Sequence, residues 1–464
     1  MTASAALGAL WRDAGLPADA LARIALTGAD PVMPSSFAVG SAAQAAIAAA
    51  ALAATEFDRA RSGRTQRVAL DMRHAAVECR SEHWLEIDGA APTDPWDRIA
   101  GIYPCGDGSW VRLHTNFPHH RDGVLTLLGC AHDRKAVGAA LARWTAFEFE
   151  DAAAAAGMCV TAMRTFAEWD AHPQGRAAAA LPLVEIARLG DAPPRARPAR
   201  DRPLSGVRVV ELARVLAGPV CGRTLAAHGA DVMLVTSPTL PSIPALEPDM
   251  GRGKLSTAID LRAPGGRDAL EALTRDADVF LQGYRPGGLG GLGFAPEDVA
   301  RLRPGIVYAS LSAYGQAGPW RDRRGFDSLV QTVTGIAGEG GRAMGVDQPR
   351  PLPCQALDHA SGYLAAFGTM VALARRAKQG GSWMVRVSLA QTGRWLDRLG
   401  RVDGLGTPDL TPEDVADLME TTETPWGRLL AVAPAAKLSA TPGFWARPSV
   451  PLGTHPPEWP ARAA

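Results

Sequence analysis

The sequence predicts an α/β protein, a doubly wound, Rossmann-like parallel sheet with a smaller α+β domain placed N-terminal to it. Beyond residue 204, short continuous runs rich in Val, Ile and Leu alternate with amphipathic stretches, the pattern of strands buried on both faces and joined by helices. Before residue 190 the chain mixes an Ala-rich helical stretch with an Asp-Gly hairpin signal. The length of 464 residues is about three typical domains' worth, so two or three domains are expected.

Taken in order, residues 42–61 form a strong helix pattern and 67–72 (RVALDM) a short strand. Residues 106–115 (GDGSWVRLHT) read as a hairpin, because Asp107-Gly108 suits a tight turn and apolar and polar residues alternate after it. Residues 137–156 read as one helix around an acidic patch. Residues 191–203 (DAPPRARPARDRP) are too rich in Pro and Arg to bury apolar surface, and read as a linker. Past it, 207–212 (VRVVEL), 231–235 (DVMLV), 278–281 (DVFL) and 306–311 (IVYASL) are expected strands, and 219–228, 263–276 and 295–303 expected helices. The expected organisation is a small domain with a partial repeat over 1–200, the sheet domain over 201–400, and a Pro-rich tail over 401–464. Ligands of such a sheet sit beyond the carboxyl ends of its strands.

An internal repeat underlies part of this. Residues 41–75 lie over 358–392 without a gap. Each copy has an Ala-rich helix, a basic helix end (DRARSG at 58–63, RRAKQG at 375–380), a glycine and a five-residue strand.

Composition narrows the function. Basic and acidic side chains balance at 48 each, so no global field draws the chain to nucleic acid or to an anionic membrane. Lysine stands only at Lys135, Lys254, Lys378 and Lys437, and arginine supplies the remaining positive charge. The six cysteines form no CxxC pair, which argues against a disulfide framework or zinc ribbon and for a reducing cytoplasm. The start, MTASAALGALWRDAG, lacks a basic n-region, and the longest apolar stretch, 42–54, is too short to span a bilayer. A cytoplasmic protein without a membrane partner is expected. His119 and His120 lack metal-ligand spacing, and the dispersed Trp residues read as core anchors rather than a base-stacking platform.

The ordered segments LSGVRVVELARVLAGP (204–219), GADV (229–232), GRGKLSTAIDL (251–261), ADVFLQGYRPGGLGGLGF (277–294), ARLRPGIVYASLSAYGQAGPWRDRRGFDSLVQ (300–331) and ALDHASGYLAAFG (356–368) resemble the class III CoA-transferase family. That family includes formyl-CoA and carnitine CoA-transferases and, as a relative, α-methylacyl-CoA racemase. Residues 41–190 resemble the part that normally follows the active-site helix, and LSATPGFWARPSVPLGTH (438–455) resembles the closing segment. The chain therefore resembles a rearranged member, with the small domain ahead of the sheet domain.

The resemblance implies a CoA-transferase moving CoA from an acyl-CoA to a carboxylic acid, with no tightly bound cofactor. It places the nucleophile on Asp358, which forms an aspartyl anhydride and then an aspartyl-CoA thioester. The helix N-terminus beside it is expected to supply donors and keep the carboxylate ionised. A cap of that helix is the plainer alternative for an Asp there, and the adjacent His359 is expected to be structural. The matching position in the first copy is Ser41, which can cap a helix but is not the nucleophile, so that copy is expected to be silent scaffold. CoA contacts are implied at Arg214, Val215 and Ala217, at Lys254, and at Gly283, Tyr284 and Arg285.

Two segments depart from the family pattern. LVTSP places Thr236 and Ser237 where the family has Glu or Lys-Val-Glu, and Gly283-Tyr284 replaces Asn-Phe. A catalytically silent CoA-binding scaffold is thus the competing expectation. A racemase is disfavoured, because the proton-transferring histidine the resemblance would place before Asp327 is Phe326. A homodimer is also implied by the resemblance.

Overall fold

The computed structural model describes every residue except 196, 197, 199 and 462–464, so part of the expected linker lies outside the described residues. The protein is a mixed α/β fold around a seven-stranded sheet. Its strands run in the order Lys254–Ala258, Asp231–Thr236, Arg208–Leu212, Val279–Gln282, Val307–Ser312, Ser382–Ser388 and Glu185–Gly190. All neighbours are parallel except the last pair.

Alternation along each strand divides the core. Val209, Val232, Leu281, Ala309 and Val385 face the helices Val39–Ser62, Ala217–Ala227 and Ala356–Gln379. Val210, Met233, Phe280, Tyr308 and Met384 face Gly266–Arg275 and Pro296–Leu302. Successive side chains of a strand point to opposite faces, so an apolar residue at every position is what covering both faces requires.

The four expected strands and three expected helices after residue 204 are present with ends shifted by a few residues. Two strands had no clear sequence signal: Lys254–Ala258 reads KLSTA, and Glu185–Gly190 reads EIARLG. The expected helix over 137–156 is two helices, Arg134–Leu141 and Ala146–Ala155. The break is set by Thr145, whose hydroxyl accepts the Glu148 N–H while Glu148 reaches back to Thr145. These helices and Pro118–Leu128 cover a small antiparallel sheet of Gly101–Pro104, Trp110–Leu113 and Val160–Ala162.

The repeat persists in three dimensions. Val39–Ser62 and Ala356–Gln379 are both 24-residue helices in the register of the sequence repeat, and they pack together in one core. Their entries match: Ala38 has φ −76°, ψ 60° and Gln355 φ −79°, ψ 59°. Gly63 and Gly380 end them, and the following strands lead into helices capped by Asp71 and Ser388. A carboxylate receives each helix start. Asp30 accepts the N–H groups of Gly40 (3.1 Å) and Ser41 (2.7 Å), and Asp327 accepts those of Leu357 and Asp358 (2.9 Å). Ser41 therefore does not cap; it lies inside the first turn. Val39–Ser62 is long and apolar enough to cross a bilayer, longer than its 13 most apolar residues alone suggest. Yet 94% of its apolar window is buried inside the protein.

The tail runs along the edges of two sheets. Lys437–Leu438 pairs with Val68–Asp71, and the Gly453 and His455 N–H groups bond Ser256 Oγ and the Ser256 carbonyl at 3.0 and 2.7 Å. It thus occupies the otherwise free edge of Lys254–Ala258.

Where Ala356–Gln379 crosses Ala217–Ala227, contact depends on a glycine. A Cβ on Gly362 would stand 2.6 Å from the Ala217 carbonyl oxygen and 2.7 Å from Val220 Cβ. Gly362→Ala is expected to cost about 1–3 kcal/mol by overpacking, read as a lower urea midpoint with an unchanged denaturant slope.

Candidate active site

Asp358 is the third residue of Ala356–Gln379, 7% exposed, and lies on the wall of a cavity of about 490 Å³. The cap position is Gln355, so Asp358 is not an N-cap. Its side chain is spare for chemistry, because Asp327 receives the helix start through the backbone. Residues from both halves of the chain build the cavity. Arg80, Glu82, Trp96, His114 and Asn116 come from the first half, and Val215, Leu216, Phe326 and Asp327 from the second.

The expectation that the helix end keeps Asp358 ionised is not met. Burial pushes its pKa well above the usual carboxylate range, and Asp327 and Glu82 push it further. Asp327, fully buried, is itself pushed up to about 6, again by burial. Its hydrogen bonds from the Asp358 N–H, Gln331 and the Leu357 N–H oppose that rise. His359 is fully buried, with Nε2 2.8 Å from Glu82 Oε2, so it ties the turn at Ser81–His83 to the helix. His114 is held neutral by burial, and its ring stacks on Phe326 with centroids 3.8 Å apart.

A second cavity, of about 450 Å³, opens at the carboxyl ends of Arg208–Leu212, Asp231–Thr236 and Val279–Gln282. Arg214, Val215, Gly283, Tyr284 and Arg285 all line it. Arg214 lies over the rings of Phe117 (4.9 Å) and Tyr284 (5.6 Å) and donates to the Pro241 carbonyl at 2.8 Å. Thr236 and Ser237 of the LVTSP segment line the same cavity. Val215 and Phe326 border both cavities. Val215 adopts φ +72°, an uncommon conformation for a β-branched residue, held where the two spaces meet.

Two expected contacts lie elsewhere. Lys254 is 1% exposed, and its Nζ is committed to Glu211 at 2.8 Å and to the Pro219 carbonyl at 2.9 Å. Burial pushes Glu211 up to about 7. Lys254 lines only a smaller apolar cavity of about 70 Å³ beside the larger ones, so it is spoken for by an internal partner rather than presented to the basic cavity. Ala217 opens its helix against Gly362 and is not among the lining residues of any of the three cavities.

Other residues reach the site without having been singled out in the sequence. Arg262 and Arg324 line the basic cavity with Arg214 and Arg285. Arg324 donates to His120 Nε2 at 3.0 Å, and burial pushes His120 down to about 3. The RDRRGFD segment carried Arg324 in plain view, but an arginine in an Arg-rich chain is a weak signal. Nothing local marked Arg80, Glu82 or His114, which meet Asp358 only through the fold. Among the described residues no cluster of three or more His, Cys, Asp or Glu suits a metal.

A model of the family described as CoA-transferase family III matches residues 19–193 and 204–399. An acyl-CoA transferase of Gibberella moniliformis is 30% identical over 363 residues, 69% of this chain and 63% of that protein. The acetyl-coenzyme A transferase nodX of Hypoxylon pulicicidum is 36% identical over 209 residues, 44% of this chain and 35% of that one. The crystal structure of Rv3272 from Mycobacterium tuberculosis is 32% identical, covers 43% of this chain and 57% of its own, and gives a TM-score of 0.38. The chain thus spans from about a third to about two thirds of the length of these two curated relatives.

Proposed function

The chain belongs to CoA-transferase family III, and on that premise we propose that it moves CoA from an acyl-CoA to a carboxylic acid, with Asp358 as nucleophile. The observation that carries this is the pairing of two neighbouring cavities that share Val215 and Phe326, one around a buried carboxyl and one lined by four arginines. The strand order reverses between Arg208–Leu212 and Val279–Gln282, which supports reading the sheet as doubly wound. The basic cavity lies beyond that crevice, where such sheets take ligands. Arg214, Arg262, Arg285 and Arg324 are suited to CoA phosphates and Tyr284 to the adenine or pantetheine arm. Lys254, fixed on Glu211, supports the loop rather than touching CoA.

The chemistry balances without a metal. The Asp358 carboxylate attacks the thioester carbonyl, the C–S bond breaks, and a mixed anhydride and CoA thiolate form. The thiolate attacks the aspartyl carbonyl, releasing the donor acid and leaving an aspartyl-CoA thioester. The acceptor carboxylate then attacks that thioester to give a new anhydride and thiolate. Attack of the thiolate on the acceptor's carbonyl yields the new acyl-CoA and regenerates Asp358. Racemization is left out, because Phe326 carries no proton and is stacked on His114. A cytoplasmic homodimer belongs to the same proposal, and sedimentation of the purified chain checks its assembly.

Hydroxylamine added with acyl-CoA should convert the aspartyl-CoA thioester to a hydroxamate and free CoA. Peptide mass spectrometry should then find one modified residue, Asp358. Acyl-CoA binding by calorimetry with neither hydroxamate nor turnover would make the chain a silent CoA-binding scaffold instead.

A further inference from the structure

The cavity around Asp358 is acidic except at one place. Glu82, Asp94, Asp327 and Asp358 line it, and Arg80 is the one lining side chain with a permanent positive charge. Arg80 follows the helix Met72–Glu78 of the first repeat copy, and its side chain is 14% exposed. Its NH1 donates to both oxygens of Asp409, at 2.7 and 2.9 Å. Its Nε and NH2 donors meet no protein acceptor among the described residues, so the fork is half used. Asp409 lies away from the cavity wall and is 45% exposed, which weakens its hold on the arginine.

An acid that reacts at Asp358 must fit its far end into this same space. Much of the remaining wall is apolar, from Trp96, Phe326, Leu216, Ile243 and Leu246. An apolar far end pressed on Arg80 would exclude water from a charged group with free donors, which is costly. A carboxylate there would take the two free donors and pair with the guanidinium charge, which an apolar group would leave desolvated and unmatched.

Resting on the transferase reading above, we infer that Arg80 is the anchor for a second anionic group. The acids handled at this site are therefore dicarboxylates with an apolar spacer. One carboxyl exchanges CoA at Asp358, and the other is held by Arg80.

The test compares glutarate and adipate with valerate and hexanoate as acceptors, with one acyl-CoA donor held fixed. The diacids are expected to exceed the monoacids of equal length by about 100-fold in kcat/KM, the scale of one charge-assisted fork. Arg80→Gln should bring each pair to within about threefold by losing diacid use, mainly through KM. Asp409→Asn frees the fork and should keep or raise the diacid preference. If Arg80→Gln and Asp409→Asn instead depress all four acids alike, Arg80 only ties down the segment at Asp409, and the inference is overturned. Equal use of diacids and monoacids by the unmodified protein overturns it without any variant and leaves the transferase reading standing. Absence of transfer to all four acids, together with no hydroxamate at Asp358, removes that reading and this inference with it.

Discussion

Asp358→Asn is expected to lower CoA transfer by on the order of 10⁴-fold or more, the scale seen when a covalent nucleophile is removed. Acyl-CoA affinity should stay within about threefold, because an isosteric amide leaves the cavity's shape and the arginines alone. The variant should fold. Asp327 receives the helix start through the Asp358 backbone N–H, which the substitution does not touch. It should even gain stability near neutral pH, because a carboxyl raised by burial, Asp327 and Glu82 resists ionising in the folded state, and the amide has no such cost. Steady-state transfer assays, calorimetry and thermal denaturation separate these expectations. Transfer retained at the unmodified rate would remove Asp358 from the mechanism, and loss of transfer with loss of the thermal transition would be a folding effect.

Much of this site was legible along the chain, and what was not has physical causes. Asp358 could be found because it sits inside a long ordered segment, ALDHASG. Its partner Asp327 lies 31 residues earlier, and only the fold brings its carboxylate over the helix start. The repeat was readable as far as its helix ends, yet the matching role of Asp30 was not, since Asp30 and Asp327 stand at different distances before their helices. KLSTA gave no strand signal because its burial comes from the neighbouring strand and the returning tail rather than from apolar side chains. The split near Thr145 did have a local signal, the Thr-x-x-Glu spacing of a capping box, hidden within a continuous Ala-rich pattern. Lys254 shows the opposite failure. The resemblance implies a CoA contact there, but Glu211 on Arg208–Leu212, two strands away, claims the ammonium.

The pH dependence of transfer should report the two aspartates as a pair. Both are pushed up by burial, Asp327 to about 6 and Asp358 well above the usual range. Asp327 ionises first because three donors favour its charge, and that charge then holds the proton on Asp358. The nucleophile must be ionised, so kcat/KM with a fixed acyl-CoA should climb with pH along a limb displaced above the ordinary carboxylate range. Asp327→Asn removes the neighbouring charge while keeping an oxygen for the backbone N–H. Its limb should move to lower pH, the direction expected when a like charge in contact is removed. Stability runs the other way. A carboxyl whose folded pKa exceeds its unfolded value contributes stability that is full below the unfolded pKa and is lost as pH rises through the folded one. The unmodified protein should therefore melt at progressively lower temperature as pH rises from the ordinary carboxylate range to about pH 6, where folded Asp327 titrates, and Asp327→Asn should flatten that slope. A limb that stays in place in Asp327→Asn would show that burial and Glu82, without Asp327, set the Asp358 proton. The opposed slopes have one origin, since the charge that the folded state resists is the charge the thioester needs.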